Sequence, residues 1–436
     1  ATFAELAVID EQSDMKESEM VDKLIASGAE IFLGHRAKNV EGADLVVYTA
    51  AVSDDNPEIA RARELGIPAV TRAQMLGRLM SEYDYSIAVS GTHGKTTTTS
   101  MVSLILKHAN KAPTILVGGN LAEIGGNVEV GSGQYFVTEA CEYRDSFLSL
   151  CPKIEIILNI DSDHLDYFKN LDNIKKSFRK FAELTTKTII YNGDDANTVD
   201  TLKGIEGKKL VSVGRNDGNE WVAKNVDVPG GFHSEYDAYH NGEFVAHVVL
   251  SVPGEHNILN SLCAFAAAYE SGAEIEKILE GLKNFGGAAR RFEKLGTYCG
   301  VTFADDYAHH PAEIKVTLEA AKKMGYKHVW AVHQPFTFSR TSLLLDDFAE
   351  VLQIADKCVI SAIMGSREVN TIGIKATDLS SKIPGAVQLD TFEEICDYVC
   401  DNAEEGDLVI TLGCGDVYKV ARMMCKKLKE REEQNA

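Results

Sequence analysis

From Glu30 onward the chain alternates short apolar runs with amphipathic stretches of helical period. The run DLVVYTA (44–50) predicts a strand, PEIARARELG (57–66) a helix closed by Gly66, and IPAVT (67–71) the next strand. After a polar hinge at SEYDY (81–85), a second block predicts strands at SIAVS, YFVTEA, IEIILNI and KTIIYN, with a helix near NIKKSFRKFAEL. A stretch rich in Gly, Asp and His follows, in which EFVAHVVLSV (243–252) alternates like an antiparallel strand. The segment NILNSLCAFAAAYESG (257–272) is apolar on most faces, which predicts a buried helix. Beyond GTYCG (296–300), the expected joint, the alternation resumes with strands at VTFADDY, HVWAVHQP, KCVISAI, AVQLD and DLVITLG. Strands separated by helices imply βαβ units and parallel sheets. The chain therefore reads as an α/β protein of three domains, 1–84, 85–296 and 297–436.

Composition narrows the partners. The 436 residues are 45% apolar and 25% charged, ordinary for a globular protein, so disorder is expected only in the last residues, KKLKEREEQNA. A formal charge of -21 speaks against nucleic acid or an anionic membrane as the main partner, because both need a basic face. A small anionic ligand remains compatible, since salt screens distant carboxylates within roughly 8 Å. Nine cysteines without Cys-x-x-Cys spacing suit a reducing cytoplasm, with Cys151, Cys263 and Cys358 read as small core residues. No window approaches a membrane span, and the expected location is the cytoplasm. Oligomeric state is left open.

Candidate chemistry centres on YSIAVSGTHGKTTTTSMVSLILK (85–107). A strand, a tight glycine turn, a lysine and a hydroxyl opening a helix are the parts of a phosphate-binding loop, although Val89 stands where the strict pattern has glycine. Gly91 and Gly94 permit a backbone that turns several N–H groups toward one anion. Lys95 adds a cation, and the helix from Thr96 offers its positive end. Thr96 is placed to coordinate magnesium, with Glu139, at the end of a neighbouring strand, as its acidic partner. Glu142, three residues on, reads as a solvated loop acid. Asp163, His164 and Asp166 crowd the end of the next strand, where α/β sheets bind ligands, and His164 is a candidate for a second metal. Hydrolysis, phosphoryl transfer and ligation all use such loops.

The ordered motifs GTHGKTTTT, EACE, NIDSDHLDYF, PGEHNILNSL, GAARRFE, DDYAHHPAEI, QPFTFSRT and LGCGDVY resemble those of the Mur ligases, over nearly the whole chain. In that family the loop reads Gly-Thr-x-Gly-Lys-Thr without the earlier glycine. The resemblance, nearest to the alanine-adding members, implies an ATP- and magnesium-dependent amide ligase of peptidoglycan synthesis. Such an enzyme joins L-alanine to the lactyl carboxylate of UDP-N-acetylmuramate through an acyl phosphate. It implies a Rossmann-like N-terminal domain for UDP, a central phosphate-loop ATPase with a mixed, mostly parallel sheet, and a Rossmann-like C-terminal domain for the amino acid. Carried over by motif, Gly91, Thr92, His93, Gly94, Lys95, Thr96 and Thr97 hold phosphates. His256, Asn257 and Asn260 meet adenine, while Arg291, Asp306 and His309 reach the nucleotide from the linker and third domain. Arg340 orients a carboxylate and, with Lys95, Glu139 and His164, makes the expected catalytic set. His35, Thr49, Asn56 and Arg72 match positions near the UDP sugar.

The chain departs from the family in three places. ATFAELAVIDEQSDMKESEM holds no Gly-rich uridine-nucleotide loop, so either that loop lies outside the sequence or UDP binding is weakened. His333-Gln334-Pro335-Phe336 stands where the family usually reads Phe-Gln-Pro-His. Arg179 occupies, by count from His164, the place of a lysine that several relatives carbamylate. Two rivals fit the same motifs: a ligase that recycles murein tripeptide onto UDP-N-acetylmuramate, and a non-catalytic ATP-binding regulator.

Overall fold

The computed structural model describes residues 6–10, 19–49, 52–53, 55–228, 233–366 and 368–435. Two compact units are distinguished, one of 1–82 with 146–151 and one of 83–145 with 152–436. Most of ATFAELAVIDEQSDMKESEM lies outside the described residues.

In the first unit, Leu6–Asp10 pairs in parallel with Ala29–Leu33, and Val46–Tyr48 with Ala69–Thr71. The helix Pro57–Leu65 starts at proline after the cap Asn56 and stops at Gly66, whose φ of 71° closes it in the left-handed conformation. Arg72–Met80 follows behind a capping box of Thr71 and Gln74. A Cβ on Gly77 of this helix would lie 2.0 Å from the Ser149 carbonyl oxygen, so only glycine admits the 146–151 segment there.

The second unit is built on two sheets. The larger has ten strands in the order Glu243–Leu250, Ser234–His240, Trp221–Asp227, Lys209–Gly214, Thr188–Asn192, Ile154–Ile157, Tyr85–Ser90, Tyr135–Glu139, Thr114–Leu121 and Gly126–Glu129. From Trp221–Asp227 to Thr114–Leu121 the pairings are parallel, and the outer strands are antiparallel. Ile154–Ile157 is wholly buried and Tyr135–Glu139 nearly so, as parallel strands covered on both faces require. Helices Lys95–His108, Glu255–Glu270 and Ile275–Asn284 pack together beside this sheet. Gly281 lets two of them touch: a Cβ there would stand 2.6 Å from the Ile105 Cα.

The smaller sheet runs Glu293–Tyr298, Val301–Asp306, Leu408–Leu412, Val329–His333, Lys357–Ile360 and Val387–Gln388, parallel except for the first pair. GTYCG is therefore no joint. It ends the first strand and turns into the second, with Gly300 at φ 74°. The expected disorder of the last residues also fails, because the helix Tyr418–Asn435 runs through them. Its Leu428 is buried, and Arg431 donates to the Cys400 carbonyl at 2.8 Å. Cys263 and Cys358 are core residues as expected, whereas Cys151 is exposed. No helix among the described residues is long and apolar enough to cross a membrane.

Candidate active site

The strand Tyr85–Ser90 delivers the loop Gly91–Gly94 to the start of the helix Lys95–His108. Gly91 and Gly94 have φ of 135° and 88°, where a side chain is strained, and neither has room for one. A Cβ on Gly91 would meet Leu158 Cβ at 3.0 Å, and one on Gly94 would meet Asn260 Oδ1 at 2.7 Å. The neighbouring strand's continuation fixes the loop. Thr92 N–H donates to the Asn159 carbonyl (3.0 Å), and Asp161 N–H donates to Thr92 Oγ1 (2.9 Å). Asn159 accepts from His93 N–H through Oδ1 (2.8 Å) and returns Nδ2 to the His93 carbonyl (3.0 Å).

Lys95 Nζ donates to the carbonyls of Gly91 (2.5 Å) and Thr92 (3.1 Å) and to both carboxylate oxygens of Glu142 (3.2 and 3.0 Å). Burial opposes the lysine's charge, but Glu142, with Cys141 and Glu139 behind it, holds its pKa above the ordinary value. Glu142 is only 2% exposed, so it is not the solvated acid its sequence position implied. It also lies 4.0 Å from His164 Nε2 and thus stands between Lys95 and His164. His164 has φ 52°, and Arg144 and Asp145 are left-handed as well. Such strain around one buried acid marks a place where side-chain position outweighs backbone comfort.

Thr96 and Glu139 each lie against the strand Thr114–Leu121, at the adjacent residues Gly119 and Gly118. Gly118 N–H donates to Glu139 Oε1 (2.6 Å), and a Cβ on Gly118 would sit 2.9 Å from that carboxylate. A Cβ on the next residue, Gly119, would be 3.2 Å from Thr96 Cγ2. A hydroxyl and one carboxylate beside an amide-lined loop are the donor set a hard divalent cation shares with phosphate oxygens. Among the described residues no three His, Cys, Asp or Glu side chains form an all-protein metal cage. Thr97 takes its place in the helix's first turn.

Asn257 and Asn260 are buried, and Asn260 Nδ2 donates to Asn257 Oδ1 at 3.2 Å while Asn257 Nδ2 holds the Pro253 carbonyl at 2.7 Å. His256 is exposed and borders a cavity of about 220 Å³, lined also by Gly254, Val316, Ala320 and Met324. Asp306 is buried at the end of its strand. Its carboxylate accepts from the N–H groups of Phe292 and Ala308, both at 2.7 Å, and burial raises its pKa to about 6. It thereby pins the segments bearing Arg291 and His309. Arg291 lies 5.2 Å over the Tyr307 ring, and His309 Nδ1 donates to the Tyr307 carbonyl at 3.1 Å. Arg340 sits in the helix Phe338–Leu343, half-buried, and its charge depresses the pKa of His309 and His310 behind the larger effect of burial. Arg179 points elsewhere, donating to the carbonyls of Thr201 and Lys203 at 3.0 and 2.6 Å. His333 is fully buried, and Nδ1 donates to the Leu412 carbonyl at 3.1 Å.

The four positions expected at the UDP sugar all lie in the first unit. Thr49 and Arg72 directly follow the paired strand residues Tyr48 and Thr71, so they leave two parallel strands at the same end. His35 Nδ1 lies 2.6 Å from the buried Glu58, while Asn56 Oδ1 accepts from Glu58 N–H at 2.9 Å.

Two residues that sequence reasoning missed shape the loop's surroundings. Glu155 is completely buried beneath it, with Ser90 Oγ 3.2 Å from one oxygen and Thr185 Oγ1 donating to the other at 2.7 Å. Burial pushes its pKa up to about 8, while the hydroxyl contacts from Ser90 and Thr185 pull the other way, leaving it largely a neutral carboxylic acid at neutral pH; Ser90 Oγ also reaches the Ile156 carbonyl (2.9 Å). A folded-state value above the unfolded one means that stability is complete at low pH and declines as pH rises toward 8. The slope is at most roughly 1.4 kcal/mol per pH unit. Glu155→Gln, which mimics the neutral acid, is expected to flatten the fall of melting temperature between pH 5 and 8. An unchanged slope in that variant would refute the assignment. The second missed residue is Glu313, whose carboxylate lies 3.3 Å from His93 Nδ1.

By sequence, the chain matches the families described as Mur ligase family, catalytic domain (residues 13–84), Mur ligase middle domain (89–268) and Mur ligase, glutamate ligase domain (290–415). It is 48% identical over 424 residues to the UDP-N-acetylmuramate--L-alanine ligase of Caldanaerobacter subterraneus subsp. tengcongensis, covering 96% of this chain and 92% of that protein. The fold is similar to the crystal structure of UDP-N-acetylmuramate-alanine ligase MurC from Thermotoga maritima, with TM-score 0.80, 29% identity, and 98% and 93% of the two chains covered. It is also similar to a murein peptide ligase from Psychrobacter arcticus, with TM-score 0.69, 25% identity, and coverage of 97% and 93%. With three successive family matches, and near-half identity to a relative of almost equal extent, the chain belongs to the Mur ligase family.

Proposed function

We propose that this chain joins L-alanine to the lactyl carboxylate of UDP-N-acetylmuramate at the expense of ATP, in the cytoplasm, as a step of peptidoglycan precursor synthesis. The observation that carries the reading is the convergence of Lys95, Glu142, His164 and the glycine loop at the carboxyl ends of parallel strands, with His93 against Glu313 of the third domain. That placement suits transfer of a phosphoryl group to an acid brought from elsewhere in the protein.

In this reading residues 91–97 bind the phosphates and Lys95 leaves the loop carbonyls and Glu142 to meet the transferred group. Magnesium, held by Thr96 and Glu139 with His164 at a second position, would supply charge neutralisation there. The sugar's carboxylate takes the γ-phosphoryl group and ADP departs. The neutral amine of alanine then attacks the acyl carbon, phosphate leaves, and the amine's surplus proton goes to solvent. Arg340 binds the alanine carboxylate, and the cavity beside His256 takes adenine, with Asn257 and Asn260 in the helix that opens at its edge. His35, Thr49, Asn56 and Arg72 hold the sugar nucleotide in the first domain. Domain limits that go with these roles are 1–84, 85–292 and 293–436, the last beginning at its edge strand.

The test is phosphate release from ATP in the presence of UDP-N-acetylmuramate and each amino acid in turn. Release that needs both substrates and is strongest with L-alanine is expected. Release with the sugar nucleotide and tripeptide, but not alanine, would point to the recycling ligase. ATP binding with no release under any combination would point to a regulator.

A further inference from the structure

The loop residue His93 is held through its backbone on one side and faces a carboxylate on the other, within ion-pair distance but outside hydrogen-bond alignment. Its N–H and carbonyl are both taken by the Asn159 carboxamide, and its ring lies against Glu313, from the first turn of the helix Pro311–Lys323. Glu313 divides its carboxylate: Oε2 accepts from the N–H groups of His309 (3.1 Å) and His310 (3.4 Å), and Oε1 stands 3.3 Å from His93 Nδ1. The His310 contact is the half of a capping box that Glu313 supplies, and Oε2 also stands 3.4 Å from His309 Nδ1. The contact with His93 has no part in capping.

The same helix is tied down at its far end, where Lys323 Nζ donates to Glu255 Oε1 at 3.0 Å. Glu255 opens the helix that carries Asn257 and Asn260, and Asn260 abuts Gly94. Thirteen residues, about 18 Å of helix, thus span from one wall of the phosphate loop to the other. Burial works against the Glu313 charge, but His93, His309 and Arg291 hold its pKa well below the ordinary carboxylate value. It remains an anion facing a loop that must receive a polyanion. An acid so near that loop weakens anion binding unless its charge is already committed, and here His93 and the two backbone amides commit it.

We propose that Glu313 is a positioning residue for nucleotide binding: by holding the His93 ring it sets the phosphate loop's backbone, so that the third domain's docking governs affinity for the phosphates. This rests on the function proposed above only in naming the nucleotide. Glu313→Gln keeps the capping box but removes the negative charge facing both the His93 and His309 rings, so pairing it with His93→Asn isolates the part carried by His93.

The experiment is calorimetric titration of the full chain with magnesium-ADP, for the parent, Glu313→Gln, His93→Asn and the double variant. Glu313→Gln is expected to raise Kd roughly five- to tenfold, and to add less than about twofold once His93 is Asn. An affinity within twofold of the parent in Glu313→Gln, or an equal loss in both backgrounds, would overturn the proposal. Binding is read without sugar nucleotide or amino acid, so a wrong substrate assignment would leave this result standing.

Discussion

Phosphate release by Lys95→Ala is expected to fall at least about a thousandfold, and the variant is expected to melt roughly 5–15 °C below the parent. The loss of rate follows from removing the one mobile cation that the loop directs at a transferred phosphoryl group. The loss of stability has a separate cause in Glu142, whose side chain is 3% exposed and whose two oxygens both accept from Lys95. Deleting one partner of a buried pair leaves the other charge uncompensated, at a cost of about 3–5 kcal/mol. Adding Glu142→Gln to Lys95→Ala removes that stranded charge. The double variant should therefore recover most of the melting temperature and none of the activity. Thermal melts beside a phosphate-release assay separate the two effects. A stable, inactive Lys95→Ala would show that Glu142 has another partner in solution, and an active one would refute the site.

Glu139→Ala should lose at least about a hundredfold in phosphate release while its melting temperature moves by no more than about 3 °C. Glu139 makes one backbone contact, from Gly118 N–H, and Gly118 is exposed, so water replaces the lost acceptor at a cost near 1 kcal/mol. Titrating magnesium distinguishes the causes. If Glu139 holds the cation with Thr96, the residual activity of the variant should need much more magnesium to saturate. A variant with normal rate and normal magnesium dependence would remove Glu139 from the site.

The two acids, Glu139 and Glu142, show what the sequence conveyed and what it hid. Glu139 was legible because it ends a strand next to the phosphate loop, and strand ends are where parallel sheets gather ligands. Glu142 lies past that strand, in a stretch with no periodicity, where polar residues are solvated by default. Only the left-handed turns at Arg144 and Asp145 accompany its burial, and nothing in the local pattern announces them. Glu155 was hidden differently. It sits at a buried register position opposite Ala88, in a run that reads as uniformly apolar except for itself. Its neutral form follows from complete burial, against which the hydroxyls of Ser90 and Thr185, far away in sequence, favour the charged form.

Most strands of the two large sheets, and the helices between them, were visible as alternation, since a buried parallel strand must be apolar throughout. The hairpin across GTYCG was misread because its glycines resemble a linker, whereas Gly300 serves a turn within one sheet. Glu313 was quoted only as part of a motif. Its contact with His93 joins segments that no period or cap connects, so only a folded chain reveals it.

The strand order of the central sheet has a consequence for biosynthesis. Tyr85–Ser90 lies between Ile154–Ile157 and Tyr135–Glu139, both of which follow it in the chain. As the polypeptide emerges from the ribosome, this apolar strand has no neighbour until Glu139 is outside the exit tunnel, and it lacks its second until Ile157 follows. The segment that builds the phosphate loop thus waits for both of its strand partners, and chaperone protection of the nascent protein matters there.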